Sequence, residues 1–438
     1  MTKNDLNILF RNHIKINLSP KQEEQDLISK IYESVQKVLQ YNCIQIGSYP
    51  RSTAISPVHD LDILYILGGF DPTTVNPRDV LLDLNNEIEN NLENATPYSA
   101  NILLQSHSIS VVFTDSDERE IISIDIVPAF ISGNKNEFGE DQYWVPELIN
   151  VGHIKRKEYY EKVGLTKSNE KDWWIKTDPR GYIHIASDLN TINSDFRKTV
   201  KFIKKWKSNL EDKDSHLALK SFHIEQVITR LFQANSNIEI FDAIFNFFVS
   251  LTDIIDNPNT ISDRANNDKF IDDYLQQFTN DQKLKIQQAR DGFLIKLEEF
   301  NGSNSIKDLL DIIFYERKSL EESFLFDKKI PVLKEQALTI NGWIQKNNQD
   351  FRRLSQQGII DKGLKIRFKV FMPINCSYYK WKVKNDNSSI KPRGEITDHH
   401  TLSDPENTQY RGSHYVECYA ILNEICIASA RQNIVILN

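Results

Sequence analysis

QIGSYPRSTAISPVHDLDILYIL, from Gln45 to Leu67, decides how this chain is read. Gly47-Ser48 ends a short β-prone run, and Asp60 and Asp62 then stand two residues apart inside an apolar one. Successive strand residues point to opposite faces, so Asp60 and Asp62 share a face, their Cα atoms roughly 7 Å apart at about 3.3 Å per residue. Two carboxylates bracketed by Leu61, Ile63 and Leu64 repel each other and are costly to bury. A divalent cation removes that cost and takes oxygen ligands of this kind. Taken alone, Asp-x-Asp is better explained by an edge strand with a wet face.

A third carboxylate favours the metal. Asp125 lies in IISIDIVPAF, residues 121–130, among neighbours that are almost all aliphatic. With its strand beside that of Asp60 and Asp62, three carboxylates converge and can hold two Mg²⁺ ions about 4 Å apart. One ion would activate an attacking hydroxyl and the other would neutralise a leaving phosphate. Gly47 lets backbone approach a ligand closely, and Ser48 offers an N–H and a hydroxyl to a phosphate oxygen. A short helical turn after it would aim its N-terminus at the same anion.

Ser19-Pro20-Lys21-Gln22 predicts a helix start, with Ser19 as cap, Pro20 at the first position and Gln22 reaching back. Leu27, Ile28, Ile31, Val35, Val38 and Leu39 follow at helical spacing. Strands are expected at 43–46, 61–67, 109–114 and 121–127, with a helix over 77–94, which makes a mixed α/β unit. From about 190 amphipathic helices take over, near 193–209, 216–234, 238–256, 280–300 and 305–322, with a polar loop at 256–268. After about 350 come short β-prone runs at 366–372, 378–383, 414–421, 425–428 and 433–437, with Asn423-Glu424 as a hairpin turn. The stretch 385–409 reads as loop.

The chain has 438 residues, 40% hydrophobic and 26% charged, enough for two or three domains. A net charge of −8 argues against a stable nucleic-acid partner, so any nucleotide contact needs a local basic patch. Cys43, Cys376, Cys418 and Cys426 form no CxxC pair, which fits free thiols in a reducing cytoplasm. No leader or run of about 20 apolar residues is visible, so a soluble, cytoplasmic protein without membrane contact is expected.

GSYPRSTAISPVHDLDILYIL and IDIVPAF resemble the GS…DxD…D signature of the DNA polymerase β-like nucleotidyltransferases. The similar variant is the bacterial CD-NTase group, the cGAS-like SMODS enzymes. VKFIKKWKS (200–208), LKSFHIEQ (219–226) and WWIKTDPRGYI (173–183) resemble that group's helical-lobe and crossover motifs, over roughly residues 5–235. The resemblance implies that Gly47 and Ser48 hold a triphosphate and that Asp60, Asp62 and Asp125 bind two Mg²⁺ ions, with Mn²⁺ as a substitute. It implies that Lys204 and Ser221 reach the triphosphate from the other lobe. Lys201 rivals Lys204, since both follow an aliphatic residue one helical turn apart. Arg51 receives no role and Thr53 a structural one. Trp173, Trp174 and Trp206 suit base stacking, although packing is the commoner use.

YYKWKVKNDNSSIKPRGEI and ENTQYRGSHYVECYAILNEICIASARQNIVIL resemble the AGS-C module, a C-terminal sensor found beside adenylyl/guanylyl cyclases and SMODS enzymes. Trp381, Arg393, Tyr410 and His414 are its candidate ligand residues, Arg393 and nearby aromatics suiting the phosphate and base of a nucleotide. The expected domains are a nucleotidyltransferase lobe at 1–190, a helical lobe at 191–350 and a β-rich sensor at 360–438. The implied function is synthesis of a cyclic di- or oligonucleotide second messenger from NTPs, ATP or GTP foremost, acting through an effector in antiphage (CBASS-type) defence. The competing readings are transfer of a nucleotide to a protein or RNA, and a non-catalytic nucleotide sensor, which the retained Gly47-Ser48 and three Asp oppose.

Overall fold

Alternation along Leu61, Ile63, Ile124 and Ile126 fixes which face of the first sheet is buried. In the computed structural model, which describes residues 1–69, 71, 74–148, 173–301, 304–347, 349–354, 358–398 and 401–437, seven strands form this sheet. They are β1 (Cys43–Ile46), β2 (Asp60–Gly69), β3 (Ser99–Leu104), β4 (Ile109–Thr114), β5 (Glu120–Lys135), β6 (Asp141–Glu147) and β7 (Trp173–Thr177). Their order is β1-β2-β5-β4-β3, with β6 on β5 and β7 on β6. Within it β2 and β5 run parallel. Helices α1 (Lys3–His13), α2 (Gln22–Val38) and α3 (Pro77–Asn91) precede or interrupt the strands.

Ile28, Ile31 and Val35 of α2 and Leu81, Leu84 and Ile88 of α3 share one core with Leu61, Ile63, Val111, Ile124 and Ile126. Each such side chain, fully buried, contributes about 1.5–3 kcal/mol. The helices therefore cover the face opposite to Asp60, Asp62 and Asp125. On the carboxylate face, farther along β2, Leu64 packs with Ala129, Tyr143 and Val145.

Helix α2 starts two residues later than Ser19-Pro20 suggested. Ser19 closes a preceding π-turn, its N–H donating to Ile14 O, so Lys21 becomes the cap. Glu24 takes the role expected of Gln22: Oε2 accepts from Lys21 N–H at 2.7 Å and Ser56 Oγ at 2.8 Å, and Oε1 from Val58 N–H at 2.9 Å. One carboxylate thus caps the helix and pins the loop that leads into β2.

The next helices are α4 (Pro179–Ile192), α5 (Asp195–Lys213), α6 (Ser221–Ala234), α7 (Ile240–Asp256), α8 (Asn280–Glu299) and α9 (Ile306–Leu310). The helix expected over 305–322 stops at Leu310, where Lys296 Nζ captures the carbonyls of Asp308 and Asp311. Strands resume earlier than residue 350, with β8 (Ile340–Gln345), β9 (Arg352–Arg353), β10 (Ile359–Ile360), β11 (Lys365–Val370), β12 (Tyr378–Lys384), β13 (Arg393–Thr397), β14 (Glu406–Asn407), β15 (Gly412–Leu422) and β16 (Ile425–Ile436). They form a five-stranded sheet, β10-β16-β15-β12-β13, and a four-stranded one, β14-β11-β8-β9. Ile366, Phe368 and Val370 of the smaller sheet share a core with Trp381, Val416, Cys418 and Ile434 of the larger. Asn423 and Glu424 both have positive φ, the type I′ geometry of the expected hairpin.

Residues 10–247 and 252–286 pack as one unit, and residues 1–9, 248–251 and 287–438 as another. Residue 190 lies inside the first, where Arg11 pairs with Asp195 at 2.6 Å. Residues 149–172, within the expected catalytic lobe, lie outside the described residues. Among the described residues no helix is long and apolar enough to cross a membrane.

Glu24→Ala should destabilise the chain by about 1–3 kcal/mol, as expected for leaving hydrogen-bond donors unmet. Urea unfolding measures the loss, and faster hydrogen exchange at the Val58 amide would locate it in the loop before β2.

Candidate functional site

Parallel pairing sets Asp62 directly opposite Asp125, and Asp60 opposite Ser123. All three carboxylates therefore project from one face of two adjacent strands. Ser123 Oγ donates to Asp60 Oδ1 at 2.8 Å, and Gln105 Nε2 to Asp125 Oδ1 at 3.4 Å. Burial, then Asp125 and Asp60, push the Asp62 carboxyl up to about 7, against the pull of Arg51 and Lys204.

Among the described residues no group of three or more His, Cys, Asp or Glu side chains is gathered closely enough to hold a metal ion, these three included. The backbone register converges them, while mutual repulsion lets Asp60 and Asp125 turn to neutral donors. The Asp62 carboxyl resists ionisation there, first because it is buried and then because Asp125 and Asp60 stand beside it. An oxygen-only set of three carboxylates suits a hard divalent cation.

Gly47 follows β1, whose Ile46 lies opposite Asp62. Its φ is +76°, and a Cβ there would stand 1.8 Å from Asp62 Oδ2. Glycine is therefore required here to leave room for the Asp62 carboxylate. The following residues form hydrogen-bonded turns rather than the expected helical turn: Thr53 N–H donates to Ser48 O at 3.0 Å and Ser52 N–H to Tyr49 O at 2.8 Å.

Beneath that turn lies a buried ion network. Glu225 of α6, 1% exposed, accepts from Arg51 Nε at 2.6 Å, Lys204 Nζ at 3.1 Å and Thr53 Oγ1 at 2.9 Å. Burial alone would push the Glu225 carboxyl up, but Arg51 and Lys204 hold it down, at about 2. Burial lowers Lys204, against the pull of Glu225. Two cations face one carboxylate, which leaves one positive charge in excess next to Asp62.

Gly47, Ser48, Asp60, Asp62, Asp125, Lys204 and Ser221 all line one cleft of 750 Å³. Ser221 is the first residue of α6, whose free N–H groups suit an anion. Lys201 does not join them. It lines a separate recess with Ser19, Tyr49 and Ser52, donates to Ser19 Oγ at 3.2 Å, and is lowered to about 8 by burial and then by Arg197, Lys204 and Lys198. Lys204 does line the cleft, though its ammonium is bound to Glu225. Arg51, given no role from sequence, and Thr53 prove to be the partners of Glu225. Glu225 was visible only as part of the LKSFHIEQ run, without a task. Trp206 is fully buried, and Trp174, nearly so, donates from Nε1 to Val75 O at 3.0 Å, so both are packing residues.

In the C-terminal unit Arg393, Tyr410 and His414 line a second cleft, of 640 Å³. Trp381 does not: its indole is buried in the core between the two sheets, because β12 turns it to the inner face.

Residues 316–437 match the family model of the adenylyl/guanylyl and SMODS C-terminal sensor domain. No curated protein matches the chain. Solved structures similar to it include Escherichia coli MS115-1 CdnC in complex with HORMA-deltaN, 15% identical with a TM-score of 0.47, covering 69% of this chain and 94% of that one. Vibrio cholerae DncV cyclic AMP-GMP synthase, with nonhydrolyzable GTP, is 9% identical at a TM-score of 0.47, covering 69% and 94%. Elizabethkingia meningoseptica CdnE cyclic dinucleotide synthase, with GTP and Apcpp, is 14% identical at 0.41, covering 66% and 97%.

Glu225→Gln should cost about 3–5 kcal/mol, since it leaves buried cations uncompensated; chemical denaturation at pH 7 reads it. For Asp62 the folded value of about 7 exceeds the ordinary aspartate value of 3.8. Its contribution is fully present below about pH 4 and is lost as pH rises through 7. In EDTA, Asp62→Asn should flatten the pH dependence of stability across that window and leave the chain more stable at pH 8.

Proposed function

We propose that this chain is a metal-dependent nucleotidyltransferase that joins NTPs into a cyclic di- or oligonucleotide second messenger. The observation that carries this reading is the parallel register of Asp62 and Asp125, with Asp60 on the same face, in a cleft that also holds Gly47, Ser48, Lys204 and Ser221. Asp60, Asp62 and Asp125 would hold Mg²⁺ or Mn²⁺, which supplies charge neutralisation at the phosphates and lowers the pKa of the attacking hydroxyl.

The residues of the chain account for the rest. The turn at Gly47-Ser48 and the N-terminus of α6 at Ser221 offer donors to the triphosphate from two sides of the cleft. The excess positive charge of Arg51 and Lys204 over Glu225 favours the polyphosphate where it lies. The rigid ion network holds the turn in place, so a bound α-phosphate is presented in line to the acceptor hydroxyl. That hydroxyl forms the new P–O bond as the bond to pyrophosphate breaks. A second transfer within the linear product closes the ring.

We assign residues 1–190 to the catalytic lobe, the helices that follow residue 190 to the helical lobe, and the region of the 316–437 match to the sensor. Cyclisation, an effector answering to the product and an antiphage setting are inferred from the CD-NTase resemblance.

The test is incubation of the purified chain with α-labelled NTPs and Mg²⁺ or Mn²⁺, then phosphatase treatment and mass spectrometry. A phosphatase-resistant oligonucleotide is expected, falling about a thousandfold in Asp60→Ala or Asp62→Ala, the equivalent of ~4 kcal/mol of transition-state stabilisation. Label passing from NTP into protein or RNA in a lysate, with no small product, would replace this reading by macromolecular transfer.

A further inference from the structure

The net charge of −8 is unevenly spread along the chain. Residues 340–372 carry seven Lys or Arg against two Asp. They include β8, β9 and β11 of the four-stranded sheet.

Alternation gathers much of that charge on one face. Ile366, Phe368 and Val370 of β11 point into the core between the two sheets, so Lys365, Arg367 and Lys369 point away from it. Antiparallel register sets Trp343 of β8 opposite Arg367, and Arg353 of β9 opposite Trp343. A row across three strands therefore reads Arg367, Trp343, Arg353, an indole with a cation on either side. Lys365 and Lys369 flank Arg367 along its own strand, each roughly 7 Å away at about 3.3 Å per residue. Arg353, Lys365 and Lys369 are exposed, and Trp343 is half-buried.

Two further rings join this face. The guanidinium carbon of Arg367 lies 3.8 Å from the ring centre of Phe351. That of Arg353 lies 5.8 Å from the ring centre of Phe371, which is 52% exposed. Among the described residues no carboxylate pairs with Arg353, Lys365, Arg367 or Lys369. Arg353 Nη2 donates to Asn341 Oδ1 at 3.1 Å, and Arg367 Nε is buried without a hydrogen-bond partner. The inner side of the same sheet is different. There Arg393 donates from Nε to Glu395 Oε1 at 3.0 Å and from Nη1 to Glu406 Oε2 at 2.9 Å, above an apolar floor of Phe368, Val416 and Ile434. A polyanion is therefore favoured on the outer face and not in the cleft.

We propose that this outer face binds single-stranded nucleic acid, RNA or DNA. Arg353, Lys365, Arg367 and Lys369 meet backbone phosphates, and Trp343 and Phe371 stack on bases. Cations alone would suit any polyanion; rings set among them select one that carries flat faces of its own. A duplex keeps those faces stacked inside, away from the rings. A lipid surface would call for rings that project from the sheet, whereas Phe351 lies against the guanidinium of Arg367. The proposal concerns binding by the C-terminal unit and does not depend on the catalytic reading above.

The experiment is fluorescence anisotropy of the full-length chain in EDTA with labelled mixed-sequence RNA, DNA and duplex DNA of about 16 nucleotides, near the upper site size of one single-strand module. Micromolar binding to at least one single strand is expected at about 50 mM salt, and the tighter of the two names the source. Three or four phosphate contacts, at about −0.7 in the log–log slope each, weaken it roughly 15- to 60-fold by about 200 mM. Lys365→Glu combined with Lys369→Glu, both exposed, should weaken binding at least about tenfold and flatten the salt dependence. Phe371→Ala should cost about fivefold or more and leave the salt slope unchanged. Excess ATP at matched ionic strength, which would occupy the first cleft, should not displace the strand. The proposal is overturned by absence of binding up to about 100 µM, the weak end of non-specific affinity. Unchanged affinity in the double variant overturns it too, as does displacement by ATP. So does duplex DNA binding as tightly as either strand, or poly-L-glutamate or phosphatidylserine vesicles competing equally per charge.

Discussion

Two carboxylates set side by side by parallel strand pairing, Asp62 against Asp125, are the constraint around which the first unit is arranged. Such a pair is unfavourable unless positive charge lies close by. The sheet keeps it there by burying the alternate residues, Leu61, Ile63, Ile124 and Ile126, under two helices. A slip of one residue would turn the aspartates into that core and the isoleucines out of it. The hydrophobic face and the acidic face therefore fix each other, and Gly47 completes the fit by leaving room for the Asp62 carboxylate.

Charge is handled differently in the two clefts. Around Glu225 two cations meet one carboxylate, and the excess lies beside the acidic face. Around Arg393 two carboxylates meet one cation, and the deficit lies over an apolar floor. Both are buried or half-buried networks, and their net charges are opposite in sign.

Much of the first site was legible because charge inside an apolar run is conspicuous. Asp60, Asp62 and Asp125 were found this way, and the structure brings them to one face of adjacent strands. What escaped depended on partners far along the chain. Spacing could not separate Lys201 from Lys204, since one helical turn leaves both on nearly the same side; only Glu225 and Ser19 distinguish them. Arg51 received no role because its partner, Glu225, lies 174 residues away in sequence. Trp381 was taken for a ligand residue from the AGS-C resemblance, as an aromatic near Arg393, and alternation alone does not say which face of its strand is core. The helix predicted past Leu310 ended where Lys296 takes its last carbonyls, a tertiary effect invisible to periodicity. The β8 strand was missed because INGWIQ contains a glycine and two polar residues.

The ion pair between Arg51 and Glu225 spans 174 residues of sequence. At a synthesis rate of about 5–20 residues per second, its second half follows the first by roughly 9–35 s. During that interval the strands bearing the three aspartates have left the ribosome, while the turn beside them holds a cation with no counter-charge. The nascent sheet can assemble before α6 exists, because all seven of its strands precede Ser221 in the chain. The turn after Gly47 acquires its final shape only after α6 is made, since Glu225 holds Arg51 and Thr53. The order of synthesis therefore separates building the acidic face from arming it.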